Sequence, residues 1–193
     1  MNDHSIFSES LKEHIQTVET FAQTSFKQIT DTAELIWQTL SSGKKVLLCG
    51  NGGSAADAQH IAAELVGRYE QQRRPFPAVA LTTDTSALTA LSNDYGYEGV
   101  FARQVHALAN EGDVLIAIST SGKSENVLRA ARAAREIGCR TIALTGRSGE
   151  PLASECDLKV VVPSERTSRV QETHILIGHL WCEYVDAHCR SVS

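Results

Sequence analysis

An α/β domain built on a five-stranded parallel sheet is expected from three features of this chain. Apolar runs of strand length recur at residues 46–49, 78–81, 114–118, 141–144 and 158–162. Stretches with helical periodicity alternate with them, and two of the runs open directly into glycine- and serine-rich turns. A short, continuously apolar run reads as a strand covered on both faces, and its alternation with helices is the pattern of a parallel sheet flanked by helices.

The elements follow in order. Residues 6–24 and 27–41 read as two amphipathic helices, with Gly43 closing the second. Helices are then expected near 55–67, 86–91, 98–109, 124–137 and 152–155, each between two strands or leading to the next. A long final helix spans 169–186, with Val170, Ile175, Ile177, Leu180, Trp181 and Val185 as its buried positions. The segment 71–77, Gln-Gln-Arg-Arg-Pro-Phe-Pro, is a polar, proline-marked connector; the strand and helix series resumes at once beyond it, so it does not separate domains. Its Arg73-Arg74 pair reads as a solvated face. The chain is therefore expected to be one domain, 1–193, with an N-terminal helical segment (1–42) and a sheet core with its C-terminal helix (43–193). The strand order expected is flavodoxin-like. The first two helices and the last are additions to a minimal sheet, and their apolar stripes would pack on one another, on the sheet or across subunits.

Composition narrows the class of function. A chain of 193 residues suffices for one well-buried domain, and 42% hydrophobic residues is ordinary for a globular protein. A net charge of −5 gives no global electrostatic support to nucleic-acid binding. Cys49, Cys139, Cys156, Cys182 and Cys189 form an odd set with no C-x-x-C spacing, which suits reduced thiols in a cytoplasmic protein. No basic region followed by an apolar core opens the chain and no run approaches a membrane span, so neither export nor a membrane partner is expected.

The chemistry-bearing residues gather at strand ends. After residues 46–49 comes Gly50-Asn51-Gly52-Gly53-Ser54, then a helix carrying His60 and Glu64. N–H groups at a helix start are unpaired and partly positive, so glycines that admit a ligand there make an anion site. Residues four apart share a helix face, so His60 and Glu64 can converge on one ion or one substrate atom. The second turn, Ser119-Thr120-Ser121-Gly122-Lys123-Ser124, follows residues 114–118 and feeds another helix, with Ser124 also suited to be its N-cap. Hydroxyls and free N–H groups suit phosphate oxygens, and in an open parallel sheet both turns lie at the carboxyl edge, where ligands bind.

Two nucleotide motifs compete for these turns. Gly122-Lys123-Ser124 ends like a Walker A loop, but its leading glycine would fall at Ala117, inside a strand. Gly50, Gly52 and Ala55 do fit G-x-G-x-x-G/A, and Glu70 or Asp84 would have to hold the ribose; that reading leaves His60, Glu64 and the second turn without a role. In the final helix, Gln171, Glu172, His174 and His179 interrupt the apolar pattern. Helical geometry sets Glu172 and His179 nearly in line and Gln171 and His179 about 80° apart, so periodicity does not select Gln171.

Together, Gly50-Asn51-Gly52-Gly53-Ser54, the His60/Glu64 pair, Asn93-Asp94, Ser119-Thr120-Ser121-Gly122 with Ser124, and Gln171 with His179 resemble the bacterial phosphoheptose (sedoheptulose 7-phosphate) isomerases of the sugar isomerase (SIS) domain superfamily. The resemblance covers nearly the whole chain and implies a single SIS domain. It further implies one zinc ion per subunit, held by His60, Glu64, Gln171 and His179. Glu64 would be the catalytic base and His179 the acid. Asn51, Gly52, Gly53, Ser54, Glu64, Asn93, Asp94, Ser119, Thr120, Ser121, Ser124 and Gln171 would bind the substrate. The reaction implied is isomerisation of D-sedoheptulose 7-phosphate to D-glycero-D-manno-heptose 7-phosphate, early in the making of activated heptose for lipopolysaccharide or capsule, by a homotetramer with active sites beside subunit boundaries. Some of these isomerases carry an acidic residue three positions before the glutamine; here that position is Ser168. The alternative is a noncatalytic SIS-domain protein that binds a replication initiator, a sister group similar in loops and length but without the full metal-binding set.

Overall fold

The computed structural model describes residues 3–190. Its elements run α1 (Asp3–Thr24), α2 (Phe26–Ser41), β1 (Val46–Gly50), α3 (Gly53–Val66), β2 (Ala78–Ala80), α4 (Thr85–Tyr95), a 3₁₀ turn at Tyr97–Gly99, α5 (Val100–Leu108), β3 (Val114–Ser119), α6 (Glu125–Ile137), β4 (Arg140–Gly146), α7 (Leu152–Glu155), β5 (Leu158–Val162) and α8 (Thr167–Arg190). Every expected element is present. Several boundaries differ by a few residues, most clearly where α1 begins at Asp3, α3 begins at Gly53 inside the glycine turn, α4 continues four residues beyond Leu91, β4 runs on to Gly146 and α8 extends at both ends. Among the described residues the five strands form one parallel sheet in the order β2-β1-β3-β4-β5, the flavodoxin-like order.

Side chains alternate between two cores because successive strand residues point to opposite faces. Val46, Leu48, Ile116, Ile118, Ile142 and Leu144 face one way, against Ile36 and Leu40 of α2, Ile61 and Leu65 of α3, and Val170, Ile177 and Trp181 of α8. Leu47, Cys49, Leu115, Ala117 and Ala143 face the other, against Val105 of α5, Val127 and Ala131 of α6, and Leu152 of α7. The terminal additions thus cover one side of the sheet. Trp181 is anchored there by its indole N–H, which donates to Thr32 Oγ1 at 3.0 Å. At the opposite edge from the glycine turns, Asp113 ties the starts of β1 and β3 together, accepting from Lys45 N at 3.0 Å and Lys45 Nζ at 2.5 Å.

α1 lies outermost and is pinned to α8 by polar contacts. Arg166 pairs with Glu13, Arg169 donates to the Ser10 carbonyl, and Glu172 accepts from Arg169 at 2.7 Å and meets His14 Nδ1 at 2.8 Å. Arg166, Arg169 and Glu172 are thereby engaged within the chain. Phe7, Leu11 and Ile15 of α1 remain exposed, as does Phe26 at the start of α2.

The connector 71–77 departs from expectation at one residue. Arg74 is exposed, but Arg73 is drawn inside, its side chain only 4% exposed, against Asp186 of α8. Its Nε donates to Asp186 Oδ1 at 2.6 Å, and its other nitrogens donate to the carbonyls of Leu65 and Glu64 at 3.0 and 2.8 Å. Carbonyls in the last turn of a helix have no partner within it, and Arg73 supplies one for the end of α3.

Candidate active site

Chain order reverses between β1 and β3, since β1 leads outward to β2 and β3 leads the other way to β4. Both glycine- and serine-rich turns emerge at this switch point, where an open parallel sheet leaves a crevice. Neither helix that starts there has a side-chain cap: Gly52 and Ser124 hold the N-cap positions of α3 and α6 and bond the first turn through their backbone carbonyls alone. The Ser124 hydroxyl instead lies 3.1 Å from Ser119 Oγ. Backbone bonds close the first turn of α3, where Ser54 N donates to Asn51 O at 3.0 Å and Ala55 N to Gly52 O at 3.1 Å, which leaves the N–H of Gly53 and, in α6, those of Glu125 and Asn126 to face an anion beside the Ser119/Ser124 hydroxyls. Ser54 lies in the first turn of α3, and Thr120 and Ser121 continue the second turn, where Ser121 Oγ accepts from Lys123 N at 3.2 Å.

If the crevice holds a phosphate, Ser119→Ala/Ser124→Ala should weaken it through lost hydrogen bonds to a charged group, each worth about 1.5–3 kcal/mol. The double variant is expected to keep its fold and bind sugar phosphate at least about a hundredfold more weakly. Unchanged affinity in titration calorimetry would remove the hydroxyl pair from the site.

Asn51 is held by residues that spacing did not single out. It exchanges amide hydrogen bonds of 2.9 and 2.8 Å with Asn126 of α6, and Tyr97 Oη donates to its Oδ1 at 3.0 Å. Asn93 and Asp94 stand on the last turn of α4, which leads into Tyr97, and Asn93 Nδ2 donates to Asp94 Oδ1 at 2.9 Å. Of the two acidic residues considered for a nucleotide ribose, Asp84 has its carboxylate engaged as a helix cap and Glu70 lies exposed in the connector. Asp84 caps α4 by accepting from Ala87 N at 2.9 Å, and Glu70 donates its backbone N–H to Asp186 at 3.0 Å.

The histidine cluster forms between helices. α3 and α8 run side by side in the same direction: Gly53 lies against Gln171, Ile61 against Gly178, and His60 against His179. A Cβ on Gly178 would come 2.6 Å from Ile61 Cγ1, so the absence of a side chain lets the helices close next to His179. A Cβ on Gly53 would overlap the Gln171 amide. His60 Nε2 and His179 Nε2 are 2.9 Å apart, and Glu64 Oε1 is 3.5 Å from His60 Nε2. Tyr69 lies over His179, with ring centroids 5.5 Å apart. Gln171, eight residues before His179, is set about 12 Å back along α8, at the turn after β1. His174 faces inward, and burial drives its imidazole down to about 4, against a weaker opposing interaction with the Thr145 backbone. Asp57, one turn before His60, is buried with Oδ2 unpartnered, and burial pushes its carboxyl up to about 6 against the pull of His60.

The cluster fits a zinc ion in its donors. Two imidazole nitrogens 2.9 Å apart can both stand about 2.0–2.1 Å from one zinc, and a carboxylate beside them is a normal third donor. Without the ion, a neutral imidazole donating to its neighbour satisfies the same separation. Among the described residues no three His, Cys, Asp or Glu side chains close on a single point, so Glu64 stands beside the pair and not over it.

A parallel sheet with this strand order and a hydroxyl-bearing turn at its switch point suits a sugar isomerase domain, and the SIS domain family model matches residues 10–146. The likeness extends to whole proteins. The phosphoheptose isomerase of Aliarcobacter butzleri is 55% identical over 173 residues, covering 90% of this chain and 92% of its own length. That of Aquifex aeolicus is 56% identical over 181 residues, covering 94% and 93%. The structure of phosphoheptose isomerase from Neisseria gonorrhoeae superposes with a TM-score of 0.92 at 46% identity, covering 96% of this chain and 100% of that one. The chain belongs to the phosphoheptose isomerase family and is an enzyme of the aldose–ketose isomerase class.

Proposed function

We propose that the enzyme converts D-sedoheptulose 7-phosphate to D-glycero-D-manno-heptose 7-phosphate with one zinc ion per subunit. The observation that carries this reading is the approach of His60 and His179, beside Glu64, on helices that frame an anion-binding crevice. His60, Glu64 and His179 would hold the ion, and the neutral amide of Gln171, which rests against Gly53 in this structure, would have to turn along α8 toward the cluster to serve as the remaining donor. When bound, zinc acts as a Lewis acid that favours negative charge on the substrate oxygens.

The chain's own groups account for the rest. Ser119, Thr120, Ser121 and Ser124, with Ser54 and the first-turn N–H groups of α3 and α6, hold the phosphate at the crevice. Asn51, Gly52, Gly53, Asn93 and Asp94 orient the sugar chain. Moving the carbonyl from C2 to C1 requires removing a proton from C1 and returning one to C2, with proton exchange at the oxygens through an enediol. Glu64 takes the C1 proton and delivers it to C2, and His179 donates at the carbonyl oxygen and recovers a proton from the neighbouring hydroxyl. A carboxylate wholly committed to a metal is a poor base. The reading therefore requires a carboxylate that shares its oxygens between the two tasks.

The reading extends to setting. The product suits an early step toward activated heptose for lipopolysaccharide or capsule. The exposed apolar row Phe7, Leu11 and Ile15 supports a homotetramer joined through α1, since contiguous exposed apolar surface marks an interface. Five free cysteines and a phosphorylated substrate support a cytoplasmic enzyme. None of the described helices is long and apolar enough to cross a membrane.

The test combines metal analysis of protein purified without added zinc with an assay of sedoheptulose 7-phosphate consumption. About one zinc per subunit, and turnover abolished by chelation and restored by zinc, is the expected result. Metal-free protein with full turnover would end the zinc assignment, and zinc-loaded protein that leaves the sugar untouched would end the substrate assignment.

A further inference from the structure

The two halves of the crevice belong to different strands and helices, and the sheet joins them only as far as the Gly50–Ile118 register. Beyond the sheet, the Asn51–Asn126 amide pair spans the gap. Asn126 is 4% exposed, and as the second residue of α6 it moves with the turn ending at Ser124, whose carbonyl accepts from Val127 N and Leu128 N at 3.0 Å. Asn51 stands in the opposite turn, between β1 and α3. Each amide both donates and accepts, at 2.9 and 2.8 Å, so the pair fixes the separation of the turns and the plane of both groups. Tyr97 adds a third segment through its 3.0 Å bond to Asn51 Oδ1. No neighbouring substitution reproduces this: Asn126→Asp loses the donor, and an apolar side chain loses both bonds and leaves the half-buried Asn51 amide with its Tyr97 contact alone of the three.

We infer that Asn126 is a positioning residue of the isomerase: it acts through Asn51 to set the spacing between the hydroxyl-bearing turn and the glycine turn, and Tyr97 is its second tie. This rests on the sugar-phosphate reading of the crevice. The experiment is a double-mutant cycle of Asn126→Ala and Asn51→Ala, read by KM and kcat for sedoheptulose 7-phosphate and by hydrogen exchange of the backbone amides at 50–55. Asn126→Ala is expected to raise KM about tenfold, with a smaller change in kcat. The double variant should be no worse than Asn51→Ala alone, because one residue acts through the other. Exchange at 50–55 should rise in Asn126→Ala although the substitution lies on α6.

Should Asn126→Ala fold poorly, Asn126→Asp and Tyr97→Phe each remove one donor and are expected to shift KM and exchange in the same direction. Additive effects in the cycle, or unchanged exchange at 50–55, would overturn the inference; so would a lowered melting temperature with KM unchanged. Wild-type protein that fails to consume the sugar would defeat the substrate reading, whereas the exchange measurement still decides whether Asn126 holds the glycine turn.

Discussion

Replacing His60 by alanine is expected, on the proposed zinc reading, to prevent zinc binding and lower turnover by two to four orders of magnitude, on the order of the several kcal/mol a metal contributes to stabilising developing charge. The residue is well placed for this separation of effects. Its side chain is 46% exposed and packs into no core, so its loss leaves the fold within about 0.5 kcal/mol of wild type in the metal-free state. Its Nε2 is the atom that meets His179, and its neighbour one turn on is Glu64, so the substitution removes the centre of the cluster. Zinc content by atomic absorption, turnover and a melting curve should be recorded on the same preparation. A variant that keeps both its zinc and its turnover would return His60 to an ordinary surface position.

Substituting Asp186 by alanine should produce the largest loss of stability, about 3–5 kcal/mol, because it leaves a buried guanidinium without its counter-ion. Asp186 is 2% exposed and satisfies three donors at once: Arg73 Nε at 2.6 Å and the backbone N–H groups of Glu70 and Gln71 at 3.0 Å each. For a chain of this size the corresponding fall in melting temperature is about 10 °C. Arg73→Met/Asp186→Leu, which removes both charges, should recover part of that loss, the part due to the uncompensated charge, while the N–H groups of Glu70 and Gln71 and the carbonyls of Leu65 and Glu64 still lose these partners. Activity should fall in Asp186→Ala as well, because Arg73 also holds the Glu64 carbonyl at the end of α3. Melting within about a degree of wild type would show that water or a rearranged connector takes over the pairing.

Much of the architecture was legible in the amino-acid order because its signals are local. The five apolar runs, the helical periods between them and the positions of both glycine- and serine-rich turns depend on neighbours a few residues away, and the strands and helices fall where those patterns put them. The shared face of His60 and Glu64 follows from a spacing of four within one helix. Boundary shifts were small and had local causes: α3 starts inside the glycine turn because Gly52 takes the N-cap position, and α4 runs on through Asn93 and Asp94 until Gly96.

Contacts between elements were another matter. Ser124 suits an N-cap by residue type, yet its hydroxyl bonds Ser119, a partner that only the turn's path supplies. Arg73 reads as one of two solvated arginines, and only the return of α8 past the connector brings Asp186 to it, 113 residues later. Asn126 and Tyr97 have ordinary helix and turn positions until the fold brings both to Asn51 Oδ1. Helical periodicity could not choose among Gln171, Glu172 and His179. The packed structure separates them, sending Glu172 to α1, laying Gln171 on Gly53 and closing His179 on His60.

The sequence by itself determined the sheet, the strand-end turns and the His60/Glu64 face, because hydrogen-bond periodicity and hydrophobic patterning act over a few residues. Only the tertiary structure decided which distant side chains share the crevice, because that depends on how closely helices pack, and at Gly53 and Gly178 on the space left by side chains that are not there.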